Sequence, residues 1–319
     1  MAVSTPLTNG RLAQDLIQQH LQRVVKGHQR VKDRHDPEPL HQMRVAMRRL
    51  RTTLQQFAPL LVLPAAVSDR RLAKSVRRLG LARDLDVLQG RLLETFLPQL
   101  PEQEEQTLRP VLRALRRERD LAQEHLEDVL RSSGHLEMVA ALQHWLKRPQ
   151  FTALAALPAR EWLLEWQLPY LQTLMLHPGW SVTRPAGDPD TLHELRKQLK
   201  TARYRLENLA PHCSAELQGW IGHLKQGQDL LGELNDLQVL RRAINDQLRS
   251  GLATDLPELH QLLLLTEARC WELWCQQVEA LWTPRRRREL PLSLWSACLA
   301  TGPAAMVKTG FVKLVCRLG

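Results

Sequence analysis

The chain has 319 residues, which is enough for one or two domains with a substantial buried core. Its 44 Lys and Arg outnumber its 34 Asp and Glu, and the net charge of +10 favours a polyanionic partner: nucleic acid, an acidic membrane surface or polyphosphate. The five cysteines have no CxxC spacing, which argues against a disulfide framework or a structural zinc site and fits a cytoplasmic location.

Helical periodicity runs through most of the chain and strand patterns are almost absent, so we predict an all-α fold. From the N-terminus onward, helices are predicted over about residues 11–32, 36–57, 68–97, 101–131, 135–146, 160–176, 188–209, 215–249 and 256–282. Two of them begin with the same device, a capping aspartate followed by proline, at Asp36–Pro37 and Asp188–Pro189.

An internal repeat relates the two halves of the chain. Residues 36–88 align without a gap with residues 188–240, at a shift of 152 residues, and 16 of the 53 positions are identical. Unrelated segments of this length would share about four. We therefore predict an internally duplicated helical bundle with two pseudo-symmetric halves of about four helices each.

The predicted domain covers residues 9–284, with halves at about 9–176 and 177–284, and the segment after it has a different character. Arg285–Arg288 are four consecutive arginines, and residues 290–307 then carry no charge but contain Pro291, Gly302 and Pro303. These helix breakers argue against a membrane span, so no stable membrane insertion is expected. Residues 285–319 are interpreted as a mobile or surface-docked tail of unknown structure.

Both copies of the repeat carry a histidine followed by cations at offsets +3, +7 and +10. At about 100° per residue these side chains lie within about 80° of the histidine on one helix face. They are His41, Arg44, Arg48 and Arg51 in the first copy, and His193, Arg196, Lys200 and Arg203 in the second. Residues 40–57 contain no acidic residue, although a face charged only for solubility usually mixes both signs. The pattern favours an anion-binding surface over a solvated face.

A separate apolar stripe on each of these helices is positioned for burial. Its members are Leu40, Met43, Met47, Leu50, Leu54 and Phe57, then Leu192, Leu195, Leu199, Leu206 and Leu209. The two histidine helices are each followed by an LGxxxDLxVL element, which begins at Leu79 and at Leu231. We expect Asp84 and Asp236 of this element to have a structural role, either pairing with an arginine or capping a loop.

The two histidine-and-arginine segments, each followed by the LGxxxDLxVL element, resemble the CHAD domain, the conserved-histidine α-helical domain. The resemblance covers about residues 11–284. It implies a helical fold of two pseudo-symmetric bundles that binds inorganic polyphosphate through a basic central surface. Some members carry a CYTH triphosphatase-like domain, whose acidic ExExK strand signature is missing here.

The resemblance also implies which residues bind polyphosphate. The family histidines correspond to His41 and His193, and its basic positions correspond to Arg44, Arg48, Arg49, Arg51, Arg196, Lys197, Lys200 and Arg203. We add three cations of the following helix, Lys74, Arg77 and Arg78, whose second-copy equivalents are Gln226, Asp229 and Leu230. The first half is therefore predicted to dominate binding, unless these three cations form the solvated back of their helix.

An enzyme would need a nucleophile with its base, or a metal cluster, and no such set is identifiable. Glu38 and His41 have the ExxH spacing of di-iron bundles, and Asp190 and His193 repeat it, but the surrounding arginines would repel a metal cation. We expect a protein without catalytic residues, metal or cofactor.

Inorganic polyphosphate is thus the expected ligand, and two alternatives remain open. A nucleic-acid backbone would also suit the charge, although no base-reading motif is identifiable and only two Tyr and four Phe are present for stacking. A scaffold or adaptor at cytoplasmic polyphosphate granules is compatible with polyphosphate binding. The sequence does not determine the oligomeric state.

Overall fold

The computed structural model describes residues 7–31, 37–212 and 215–299. Within these ranges the secondary structure is helical, and the β-structure is limited to isolated bridges between Thr8 and Pro158 and between Leu61 and Phe151. The predicted all-α class is confirmed.

The described part of the chain contains eleven α-helices. They are α1 (Asn9–Arg30), α2 (Pro37–Gln56), α3 (Asp69–Arg91), α4 (Glu102–Arg131), α5 (Ser133–Lys147), α6 (Ala159–Met175), α7 (Pro189–Leu209), α8 (Ala215–Asn245), α9 (Leu252–Asp255), α10 (Pro257–Leu281) and α11 (Pro284–Leu299). A π-helical turn, Leu92–Phe96, continues α3, and short 3₁₀ turns follow several of the other helices. Nine of the eleven match the predicted helices, whereas α9 and α11 were not predicted.

Helix α7 shows why the repeated helices begin where they do. The Asp188 carboxylate accepts a hydrogen bond from the backbone N–H of Thr191 at 3.0 Å, which satisfies one of the free donors of the first turn. Pro189 follows at the first helical position. Asp36, the predicted cap of α2, lies outside the described residues.

The apolar stripes predicted for α2 and α7 are buried along their whole length. Helix α2 packs with α1 and α3, α7 packs with α8, and α2 and α7 contact each other directly. The helices that carry the two copies of the histidine pattern are therefore neighbours in space, and their basic faces border the same region.

Two apolar clusters form the core, and they do not coincide with the two halves of the sequence. The larger cluster is built mainly from α1 to α5, but it also contains second-half residues such as Leu237, Ile244 and Leu259. The smaller cluster contains residues of α6, α7, α8, α10 and α11. Because α8 and α10 contribute to both clusters, the halves are not separate packing units.

The connection between the halves is anchored in the smaller cluster. Trp180 is buried and stacks on Trp274 and on Trp282, with ring centroids 5.5 Å and 4.2 Å apart. Residues 177–189 are therefore packed against the second half of the chain through Trp180.

The first part of the predicted tail belongs to the folded structure. Residues 284–299 form α11, which packs on α6 and α8 and buries Leu290 completely. Burial of this leucine extends the fold beyond residue 284, and residues 300–319 lie outside the described residues. Across the described ranges, no helix is both long enough and apolar enough to span a membrane.

A buried polar network joins α1, α2 and α7. The Asn208 side-chain amide donates hydrogen bonds to Thr53 Oγ1 at 2.9 Å and to Gln56 Oε1 at 2.8 Å. The Asn208 carbonyl oxygen lies 3.3 Å from His20 Nε2. Gln56 and Asn208 are 152 residues apart, so the two repeated helices meet at equivalent positions. This contact places their basic residues around one shared space.

Candidate anion-binding cavity

A cavity of about 520 Å³ lies between α2, α3, α7 and α8. Several lining residues form pairs that are 152 residues apart: Arg44 and Arg196, Arg48 and Lys200, Thr52 and Tyr204, Asp84 and Asp236, and Val87 and Val239. Equivalent positions of the repeat therefore line the same cavity. We call it the central cavity.

Positive charge dominates the central cavity. Among the described residues that line it, two are acidic, Asp84 and Asp236, and six are basic: Arg44, Arg48, Arg51, Arg196, Lys197 and Lys200. Together with His193, these six are the sequence-predicted binding residues that the fold brings together. The surplus of cations suits an anion.

Each half holds one arginine against an aspartate of the following long helix. Arg44 Nη2 lies 2.8 Å from Asp84 Oδ1, and Arg196 Nη2 lies 4.0 Å from Asp236 Oδ1. These contacts agree with the structural role predicted for the two aspartates. They also explain why the LGxxxDLxVL element accompanies the histidine pattern, since its aspartate orients the arginine at offset +3.

The repeated glycine of this element lies beneath the same arginine. A Cβ at Gly80 would lie 3.9 Å from Arg44 Nε, and a Cβ at Gly232 would lie 3.4 Å from Arg196 Nε. Both arginine side chains are mostly buried, with 14% and 18% of their surface exposed. The Nε donors of both arginines are buried and have no acceptor within the described residues.

Arg48 and Lys200 occupy equivalent positions but differ in protonation. Burial, followed by the charge of Arg44, lowers the pKa of Arg48 to about 10, so its guanidinium stays charged at neutral pH. Burial lowers the pKa of Lys200 to about 6, and the charges of Arg48, Arg196, Arg44 and Arg203 add to the effect. A large part of Lys200 is therefore neutral at pH 7.

The two histidines have different surroundings. His193 lines the central cavity, and its Nδ1 lies 2.7 Å from Asn235 Oδ1. Because the Asn235 amide nitrogen donates to Asp236 Oδ1 at 3.2 Å, the Asn235 oxygen faces the histidine and Nδ1 is the donor. His41 does not line the cavity. Burial, followed by the charge of Arg83, lowers the pKa of His41.

The difference between the histidines comes from one position of the repeat. Arg83 and Asn235 are 152 residues apart, so the charge of a cation acts on His41 where an amide forms a hydrogen bond with His193. The sequence alignment contained this difference, but only the fold shows that each of these residues acts on the histidine of its own half.

Four further predicted cations are balanced by carboxylates, and one of them is Lys197, which pairs with Glu194. Arg51 lines the cavity and donates two hydrogen bonds to Asp69, both of 2.8 Å, which lower the pKa of that carboxyl. Arg49 and Arg203 lie beside the cavity, each with its guanidinium carbon 4.8 Å from the centroid of the Tyr204 ring. Both pair with Glu207, at 2.5 Å and 3.7 Å.

The three cations added from α3 lie away from the central cavity. Lys74 and Arg77 are exposed and Arg78 is half-buried, whereas α3 lines the cavity through Val76, Asp84, Val87 and Leu88. The proposed contribution of these three residues to binding stays a prediction. Tyr204 and Asn235 line the cavity and were not predicted, because neither belongs to the charge pattern.

The cavity can be compared with known proteins through the segment that builds it. The family model described as CHAD domain matches residues 15–245, which include α2, α3, α7 and α8. The chain belongs to the CHAD domain family. The predicted family is confirmed, and all four helices around the central cavity lie inside the matched segment.

Two solved structures have a similar fold, and one of them is a CHAD domain. The CHAD domain from the plant Ricinus communis matches with a TM-score of 0.58 and 21% identity over 97% of both chains. PptA from Streptomyces chartreusis matches with a TM-score of 0.65 and 17% identity, over 85% of this chain and 99% of that one. At these identities the likeness concerns the fold of this CHAD protein. No curated protein sequence matches the chain.

Proposed function

We propose that this CHAD protein binds inorganic polyphosphate in the central cavity and does not hydrolyse it. The observation that supports this most directly is the meeting of two basic helices around one cavity, where six basic side chains face two carboxylates. A polyphosphate chain carries closely spaced negative charges, and helices supply a cation about every 5.4 Å, one per turn.

The arginines are arranged for phosphate. Arg44 and Arg196 are held in place by aspartates, so little conformational freedom is lost when a ligand arrives. Both side chains line the central cavity, and guanidinium groups bind phosphate through paired N–H donors. An anion that accepts hydrogen bonds from both arginines would contact both copies of the repeat.

The site is better suited to a slender chain than to a duplex. A cavity of about 520 Å³ can admit a single phosphate chain, whereas a nucleic-acid duplex would have to bind across an outer face. Both cavity carboxylates lie beside arginines, which supports binding over hydrolysis. A protein that holds polyphosphate without consuming it fits a cytoplasmic scaffold or adaptor at polyphosphate granules.

A pair of variants that each lack four basic side chains tests the proposal. Replacing Arg44, Arg48, Arg196 and Lys200 with Ala should weaken binding of long-chain polyphosphate at least about 100-fold, because four contacts to the polyanion are lost. Each lost contact should also lower the salt dependence of the affinity. The control replaces four exposed arginines of α4, Arg109, Arg113, Arg117 and Arg131. It removes as many basic side chains, and no less positive charge because Lys200 is largely neutral at pH 7, and should bind nearly as the parent does.

Calorimetric titrations at two salt concentrations measure both affinities, with circular dichroism to check helicity. Equal losses in the two variants would mean that binding follows net charge alone and would refute the central cavity as the site. Duplex DNA as competitor distinguishes the nucleic-acid alternative. Phosphate release above background with Mg²⁺ or Mn²⁺, abolished by a substitution in this chain, would contradict the absence of hydrolysis.

A further inference from the structure

Lys200 lines the central cavity together with Arg44, Arg48, Arg51 and Arg196. Arg44 and Arg48 of α2 and Arg196 and Arg203 of its own helix act on it electrostatically, and all four disfavour an additional positive charge. The lysine has no ion-pair partner within the described residues.

The carboxylates around Lys200 are engaged with arginines. Asp84 of α3 lies 2.8 Å from Arg44, and Asp236 of α8 lies 4.0 Å from Arg196. Glu207, on the same helix as Lys200, lies 3.7 Å from Arg203 and also pairs with Arg49. Within the described ranges, no acidic group therefore forms an ion pair with an ammonium at Lys200.

A cluster of this kind relieves its repulsion by losing a proton, and the lysine is the member that can lose one. Guanidinium groups stay protonated in proteins, whereas the pKa of a lysine falls readily with burial. The pKa of Lys200, lowered to about 6, agrees with this geometry. In the free protein at pH 8 its Nζ is therefore a neutral amine.

We propose that polyphosphate binds together with a proton, which Lys200 takes up from solvent as its amine becomes an ammonium that donates to a phosphate oxygen. The inference rests on the proposed function, since it names the protonation step of that same site. The ligand brings the negative charge that the cluster lacks, so the ammonium becomes favourable when the cavity is filled.

Proton uptake makes the affinity depend on pH. Between about pH 6 and pH 9, each unit of pH rise should weaken binding by up to tenfold, because one proton is a reactant. Arg48, at the equivalent position in the first copy, keeps its charge in this range. Arg48 is thus a permanent cation, whereas Lys200 becomes charged only when the ligand is bound.

Calorimetry at pH 8, in two buffers of different ionisation enthalpy, counts the protons taken up when long-chain polyphosphate binds. Long chains keep the contribution of the terminal phosphates small, and pH 8 lies above the ordinary pKa of histidine. We expect the parent to take up close to one proton. Lys200→Arg, which is charged at every pH used, should take up nearly one fewer and lose most of the pH dependence.

The control is Lys225→Arg, an exposed lysine of α8 outside the central cavity, which should take up as many protons as the parent. Binding without proton uptake in the parent, or equal uptake in Lys200→Arg, would overturn the proposal and leave the proposed function intact. Absence of binding in the parent would instead refute the proposed function.

A measurement on the free protein tests the same step without a ligand. The chain has only nine lysines, so an NMR spectrum of the protein labelled with ¹³C-lysine contains few signals. The signal of Lys200 is the one that is missing in Lys200→Arg. That signal should titrate several pH units below those of exposed lysines and shift when polyphosphate is added. Titration together with the exposed lysines would overturn the proposal whether or not the ligand binds.

Discussion

Individual cations of this protein differ in charge state because their surroundings differ. Arg44 and Arg196 keep an aspartate beside them, whereas Lys200 has only arginines as its strongest electrostatic neighbours. The charge of Arg51 is compensated by Asp69, to which it donates two hydrogen bonds. Residues of the same sequence pattern thus contribute unequally to the field in the central cavity.

The lysine should lower the stability of the free protein. Its pKa is about 6 in the folded state against 10.5 when unfolded, so the unfolded chain binds more protons and stability rises with pH between these values. At pH 7, Lys200→Met should therefore raise the free energy of unfolding by on the order of 1–3 kcal/mol. Urea unfolding at pH 7 and pH 9 measures this gain, which should shrink at pH 9.

The matched control for this experiment is Lys225→Met at an exposed position, where a change within about 0.5 kcal/mol is expected. A Lys200→Met variant that is less stable than the parent at pH 7 would show that the amine is not under electrostatic stress.

Helices of this fold approach one another closely at small residues. Gly27 of α1 lies against Met43 of α2, and a Cβ at Gly27 would lie 2.9 Å from Met43 Cβ. Met43 belongs to the buried apolar stripe of the first histidine helix. The contact between α1 and α2 therefore helps to position that helix, and with it the cations that border the central cavity.

Gly27→Ala should destabilise the protein by about 1–3 kcal/mol, since one backbone must move away from the other. Gly219→Ala is the control, because nothing lies within 4 Å of a Cβ at that exposed position of α8. It should stabilise the protein by about 0.5–1 kcal/mol through helix propensity alone. Urea unfolding measures the free energy of unfolding of both variants. A higher free energy of unfolding in both would contradict the close contact between α1 and α2.

Two buried histidines connect separate parts of the whole molecule. His20 of α1 contacts Asn208 of α7, and His135 of α5 lies 3.3 Å from the hydroxyl of Ser75 in α3. Burial lowers the pKa of both histidines to about 4. Their uncharged state is thus tied to intact packing between distant helices.

Acid should unfold the protein through these two groups. Their folded pKa lies below the value of 6.5 in the unfolded chain, so their contribution is complete above pH 6.5 and is lost as the pH falls towards 4. Between pH 7.5 and pH 4.5 the loss should reach on the order of 2–5 kcal/mol.

The double variant His20→Gln and His135→Gln should show a flatter dependence of urea unfolding on pH, whereas exposed His125→Gln should follow the parent. The same slope in the double variant and the parent would assign acid sensitivity to other groups.

Local order in this protein could be predicted from the sequence. The apolar stripes of α2 and α7, the Asp188 cap, the basic offsets and the repeat at 152 residues were all visible, and nine of the eleven described helices were placed to within a few residues. Such features depend on interactions between residues three or four positions apart, which a linear pattern records. The cations of α3 show the limit, because periodicity did not tell which face borders the cavity.

Tertiary packing determined which charged groups lie close together and how strongly they interact. Arg49 pairs with Glu207 across 158 positions of sequence, and His193 contacts Asn235 while the charge of Arg83 acts on the equivalent His41. The low pKa of Lys200 requires burial and arginines from two helices at once. Electrostatic energy depends on distance and desolvation in space, and neither quantity is contained in the order of residues along the chain.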